Sequence, residues 1–200
     1  MKMNQYMMIA AMSLASAAAF AQTSAPVAGD VQRDVNQQQR IENGLQSGQL
    51  STHEASQLEH QEAQVDRLQQ KDLRNGSINP QEQAQLNAAQ NKVSQDIYAD
   101  KHNAVTGNPN SMSSQRMQAD VQRNVNQQQR VENGIQNGSL TNKEVGHLER
   151  GQKHVDNAEA RAGANGHVSA NEQARIQNKE NNQSAHIYNK RHNGNQRKPA

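Results

Sequence analysis

Apolar residues recur at helical spacing along this chain, in segments that end at glycine. Between residues 30 and 47 they occupy one narrow face of a helix turning about 100° per residue. Each following segment opens with a capping box, in which Ser, Thr or Asn precedes Glu by three residues. The glycines before these boxes are typical of left-handed helix ends. The pattern predicts helices over 30–47, 52–75 and 80–102.

The same pattern is used twice. Residues 30–103 align with residues 120–193 without a gap, at 32 identities in 74 positions. Similarity at a fixed period indicates one structural unit used twice. Short turns within each unit imply antiparallel neighbouring helices. We therefore predict an all-α protein of two tandem homologous three-helix units, which fold alike and largely independently.

The segments outside the two units differ from them in composition. Residues 1–21 form a signal peptide, with an early Lys, an apolar run and an A-x-A cleavage site before Gln22. Residues 22–29 are expected to be a flexible lead-in and 104–119 a flexible linker, since both lack apolar periodicity. Residues 194–200 form a polar basic tail. We expect an exported protein, in the periplasm or the medium, with no membrane span after cleavage.

Composition limits the classes of function. The apolar fraction is 32%, so we expect thin helical packing instead of a broad core. The formal net charge of +2 is too balanced to indicate nucleic-acid binding, and no Cys is present for disulfides or thiol chemistry. No catalytic motif frames the Ser, His and Asp residues. The chain is therefore not expected to be an enzyme, and no cofactor beyond a weakly bound divalent metal is expected.

Four turns share the pattern G-x-[aliphatic]-[Ser/Thr/Asn]-x-x-E. This pattern resembles the second half of an EF-hand loop, and the chain is similar to exported bacterial repeat proteins with degenerate EF-hand-like turns. The resemblance implies a helix-turn-helix fold and weak calcium ligands. The first half of each loop lacks the carboxylates that calcium needs, and a capping box accounts for the same residues. The candidate metal ligands of these turns are Glu54, Glu82, Glu144 and Glu172.

The eight His residues are a second candidate metal set, because neutral imidazole binds Zn, Cu or Ni. Only His102 and His192 occupy equivalent positions in the two units. Each ends a predicted helix, where a cation would complement the helix dipole.

Three functions remain open from the sequence. The first is a non-enzymatic envelope protein that binds other envelope proteins, such as a stress-related chaperone-like factor. The alternative is a low-affinity metal-binding or metal-buffering protein, and a third is a largely disordered solvating chain, which the regular helix boundaries disfavour. The apolar seam at Leu86, Ala89, Val93 and Ile97 either packs its own unit or meets a partner, and we favour packing. The oligomeric state is left open.

Overall fold

Six α-helices follow one another along the chain. The structure is a computed structural model that describes residues 24–197. The predicted signal peptide, residues 1–21, therefore lies wholly outside the described residues. The all-α class is confirmed, and no strand occurs between residues 24 and 197. The helices are Ser24–Ser47 (α1), Thr52–Asp72 (α2), Pro80–Lys101 (α3), Met112–Gln136 (α4), Asn142–Gly163 (α5) and Ala170–Arg191 (α6), with a 3-10 turn at Leu73–Asn75.

The predicted capping boxes and left-handed glycines are found at the turns where the sequence places them. A complete capping box starts α2, α3, α5 and α6, with both the side-chain and the backbone hydrogen bond in place. Gly48 and Gly76 have φ of 74° and 93°, the left-handed region where a side chain is disfavoured. Local sequence therefore sets where these helices begin and end.

Helix α1 begins inside the predicted lead-in, and α4 begins inside the predicted linker. Both extensions carry a buried apolar side chain, Val27 in α1 and Met117 in α4. Ser111 caps α4 by accepting a hydrogen bond from the backbone of Ser114. The predicted tail also packs on the protein, because the Arg197 backbone donates to the Gly138 carbonyl at 2.9 Å. Burial and capping at single positions extend the helices beyond the predicted bounds. The spacing of apolar residues along the sequence does not reveal such single positions.

The two halves form one bundle and not two independent ones. Helix α2 lies antiparallel to α5, and α1 packs along α4. Helix α3 flanks α1 and α2 on one side, and α6 flanks α4 and α5 on the other. One apolar cluster contains Leu58 and Val65 from the first half together with Val121 and Val155 from the second. A chain with so few apolar residues builds an adequate core by pooling both units.

Small residues bring α2 and α5 close together. A Cβ on Gly146 would lie 2.9 Å from Leu73 Cβ, and one on Gly163 would lie 2.7 Å from Ser56 Cβ. These separations are shorter than side-chain packing allows, so the two backbones approach each other only where Cβ is missing.

The repeated NQQQR segment attaches the flanking helices. Gln37 and Arg40 on α1 donate to the backbone carbonyls of Gln90 and Ser94 on α3, at 2.6 and 2.9 Å. The second unit repeats these bonds from α4 to α6. The near-identity of the two copies of this segment follows from its position at both helix junctions.

The apolar seam of α3 packs inward, as predicted. Leu86, Val93 and Ile97 are all buried. In α6 the equivalent of Val93 is Gln183, which is also buried and donates to the Leu148 carbonyl at 2.9 Å. Among the residues that the structure describes, no helix has the length and apolar run needed to cross a bilayer.

Candidate metal centre

The four turn glutamates are placed apart, one at each of four helix starts. Glu54 accepts from the Ser51 backbone through one oxygen at 2.9 Å and from Asn103 through the other at 2.8 Å. Glu144 is held in the same way by Thr141 and Asn193. Both oxygens of each of these two glutamates are already bound. Capping therefore accounts for them, and the structure does not bring the four candidates together.

His102 and His192 also lie apart, one at the end of α3 and one at the end of α6. Each ring stacks on a tyrosine one turn earlier, with ring centroids 4.2 Å apart. Each Nδ1 lies 2.7 Å from the carbonyl oxygen of that tyrosine. Both side chains thus complete a helix end.

Carboxyl groups are concentrated instead along the interface of α2 and α5. Fifteen of the nineteen Asp and Glu residues are buried. The central ones on α2 and α5 lie away from most cations of the described residues: the charge of Arg40 opposes the rise in the pKa of Glu62, and Lys71 pairs with Asp72 at the end of α2 at 3.7 Å. The central set is Glu59, Glu62 and Asp66 on α2 and Glu149, Asp156 and Glu159 on α5.

Three of these carboxylates share one arrangement, in which an amide holds one oxygen and the other oxygen is unpaired. Glu59 Oε2 accepts from Gln38 at 3.0 Å, and Glu159 Oε2 accepts from Asn124 at 2.8 Å. Glu149 Oε2 accepts from Gln128 at 3.1 Å. The Oε1 atom of each is buried and has no hydrogen-bond partner among the described residues. The amides come from α1 and α4, so four helices fix these carboxylates.

Two of these carboxylates, those of Glu59 and Glu159, converge with the carboxylate of Asp156. One oxygen each of Glu59, Asp156 and Glu159 can be chosen so that all three lie within 4.8 Å of one another. Gln152 donates to Asp156 at 2.9 Å and so orients the third carboxylate. All three side chains are fully buried. We name this set the carboxylate triad.

Burial opposes ionisation throughout this interface. It raises the pKa of Glu59 to about 8, with the neighbouring charge on Asp156 adding to the effect. It raises the pKa of Asp156 to about 7, against hydrogen bonds from Asp66 and Gln152 that lower it. The pKa of Glu159 is raised well above its ordinary value by burial and then by the charge of Glu59. At neutral pH the triad therefore holds protons or needs a cation.

The two units contribute unequally to the interface. Glu59 and Asp66 recur as Glu149 and Asp156. In the first unit, however, the position equivalent to Glu159 is occupied by Gln69. The carboxylate triad is thus present once, although its framework is duplicated.

Sequence analysis missed this site. Glu62, for example, is one of a series of buried acids on the inner face of α2. Acids seven residues apart within an apolar stripe, Glu59 and Asp66 matched by Glu149 and Asp156, were the available signal. Their meaning depended on the antiparallel contact of α2 with α5, which places acids separated by about 90 residues side by side.

No model of a protein family matches this chain, and neither a curated protein nor a solved structure does.

Proposed function

We propose that this protein binds a hard divalent cation, such as Ca²⁺ or Mn²⁺, at the carboxylate triad. The donors at the triad are carboxylate oxygens, with amide side chains beside them. Oxygen donors suit Ca²⁺, Mg²⁺ and Mn²⁺, whereas Zn²⁺ and Cu²⁺ favour nitrogen and sulfur. All eight His residues are exposed and so lie away from the buried carboxylates.

The observation that carries the proposal is the convergence of three buried carboxylate oxygens, one from each triad residue. Two ligands on opposite sides of a calcium ion are about 4.8 Å apart, because each Ca–O bond is about 2.4 Å long. The three triad oxygens fit within that limit. When the triad is ionised, the Oε1 atoms of Glu59 and Glu159 are buried acceptors that no amide or backbone donor of the described residues reaches, and a buried acceptor without a partner costs free energy. A cation satisfies both at once.

The hydrogen-bonded oxygens support the same function. In metal sites, an outer layer of hydrogen bonds usually orients the ligands and tunes their basicity. Gln38, Asn124 and Gln152 supply this layer here, each holding one carboxylate of the triad. The carboxylates are thus oriented by the protein before any ion binds.

Protons and the cation compete for the triad. Because burial raises the pKa of all three carboxyls, binding a divalent ion displaces protons. Affinity should therefore rise with pH. The signal peptide predicted from the sequence would place this cation-binding protein outside the cytoplasm.

A protein-interaction function has less support from the geometry. It depended on an apolar seam being free for a partner, and Leu86, Val93 and Ile97 of that seam are buried in the bundle. Of the functions considered from the sequence, the geometry favours metal binding, but at residues other than the turn glutamates and histidines.

The test is a titration of the metal-free protein with Ca²⁺, Mn²⁺, Mg²⁺ and Zn²⁺. Calorimetry measures the binding of each ion, and thermal unfolding measures its effect on the melting temperature. We expect Ca²⁺ or Mn²⁺ to bind and to raise the melting temperature, with protons released. Glu159→Gln should abolish binding and still fold, since the first unit carries Gln69 at this position. Glu172→Gln, which alters a capping glutamate, should bind as the parent does. Absence of binding by every ion, or unchanged binding by Glu159→Gln, would refute the proposal.

A further inference from the structure

The charges of this protein are segregated between the interior and the surface. Most of its carboxyl groups are buried, and the four that remain, Glu82, Asp96, Asp100 and Glu172, are only half-buried. None of the Lys and Arg residues that the structure describes is buried. A formal net charge of +2 therefore conceals a strongly positive surface. The sequence alone suggested a balanced one.

The segregation is complete on the outer face of α2 and α5. Every Asp and Glu of these two helices points inward, so none occupies an exposed position. The outward positions carry cations, histidines and amides. We name this surface the basic face; its cationic residues are Arg67, Lys71, Lys143, Arg150, Lys153 and Arg161.

Contacts and electrostatics show that these cations act together. Lys153 on α5 donates to Gln70 on α2 at 3.0 Å, so the outer side chains of the two helices meet. The pKa of His154 on this face is lowered by burial and then by the positive charges of Lys153, Lys179, Arg150 and Arg161. A groove beside Lys153, which Arg67 and Lys71 also line, has a volume of about 900 Å³. The face is thus a continuous positive surface and not a set of isolated charges.

We infer that the basic face binds the headgroup layer of an anionic phospholipid bilayer. Two antiparallel helices side by side offer a broad face about 30 Å long, at 1.5 Å per residue over the 21 residues of α2. Such a face matches a flat array of phosphates. Basic clusters are attracted to anionic lipid surfaces by roughly 1 kcal/mol for each Lys or Arg near the surface.

The chemistry of the face favours lipid over nucleic acid. Proteins that bind single strands stack bases on aromatic side chains, and readers of duplex DNA place a projecting element in a groove. The exposed large apolar side chains among the described residues are Tyr98, Val105, Met112 and Tyr188, and none belongs to α2 or α5. The same absence means that the protein binds the headgroups without inserting into the bilayer.

The test is co-sedimentation of the full protein with vesicles of one-third phosphatidylglycerol in phosphatidylcholine, with a chelator present so that no ion bridges the surfaces. We expect binding at low salt, loss of binding as salt rises, and none to pure phosphatidylcholine. Arg67→Gln/Arg150→Gln removes two cations that face solvent on adjacent helices. It should weaken binding roughly 25-fold, which is about fivefold for each cation.

The matched control is Lys101→Gln/Lys190→Gln, which removes the same charge in the last turns of α3 and α6. It should keep nearly parental binding, and circular dichroism should show both variants folded. Equal loss in the two variants would overturn the assignment to the basic face. No binding to the anionic vesicles, or binding to duplex DNA alone, would overturn the lipid partner. These outcomes are independent of the carboxylate triad, because the chelator removes its ion.

Discussion

Glu59→Gln provides the sharpest test of the buried carboxylates. Burial raises the pKa of Glu59 from 4.5 to about 8. A folded-state pKa above the unfolded value means that folding takes up a proton. The contribution of Glu59 to the free energy of unfolding is therefore highest below about pH 4.5, and it is lost as pH rises through about 8. Glutamine keeps the shape and the polar character of the protonated side chain but cannot ionise.

The size of the effect follows from the pKa. A rise from 4.5 to about 8 corresponds to roughly 5 kcal/mol, at about 1.4 kcal/mol per pKa unit. In metal-free solution, Glu59→Gln should be close to the parent in stability below about pH 4.5. Above about pH 8 it should be several kcal/mol more stable. Removal of the Glu59 charge also eases the ionisation of Glu159, whose pKa that charge raises.

The assay is urea unfolding in the presence of a chelator at a series of pH values, followed by circular dichroism. The difference in unfolding free energy between variant and parent should grow between about pH 4.5 and about pH 8 and then level off. Adding Ca²⁺ or Mn²⁺ at high pH should stabilise the parent and not the variant. A difference that is constant with pH, or a variant less stable at every pH, would show that Glu59 ionises freely and would refute the reasoning.

Three further predictions concern single contacts. Glu172→Gln should have the opposite pH profile to Glu59→Gln, because hydrogen bonds within its capping box lower the pKa of Glu172. Measured by melting temperature, the variant should be less stable than the parent above about pH 4.5, and this difference should vanish in acid. Gly151→Ala should cost about 1–3 kcal/mol by urea unfolding, since its Cβ would overlap the Gln183 side chain, and Gln183→Val in the same chain should restore stability. Gln38→Leu should weaken cation binding about 10- to 100-fold by calorimetry while the fold persists, because Gln38 orients Glu59; unchanged affinity would contradict this role.

The sequence by itself determined the helices. Glycine and capping residues act on their immediate neighbours, so Gly48, Ser51 and Glu54 mark the same boundary in the chain and in the folded protein. The apolar seam of α3 was predictable for a related reason, since its spacing repeats with the helix. The N-terminal parts of α1 and α4 were missed because the burial of Val27 and Met117 depends on distant residues.

Only the tertiary structure decided how the two units meet, and with that the candidate site and the surface charge. An acid on a helix has the same local preferences whether it faces water or another helix. Glu59 and Glu159 become one site because α2 and α5 are antiparallel and close, at positions where glycines remove the Cβ atoms between them. The same packing buries the carboxyls and leaves the cations outside. Capping depends on residues a few positions apart, whereas the site and the surface charge depend on contacts between the units.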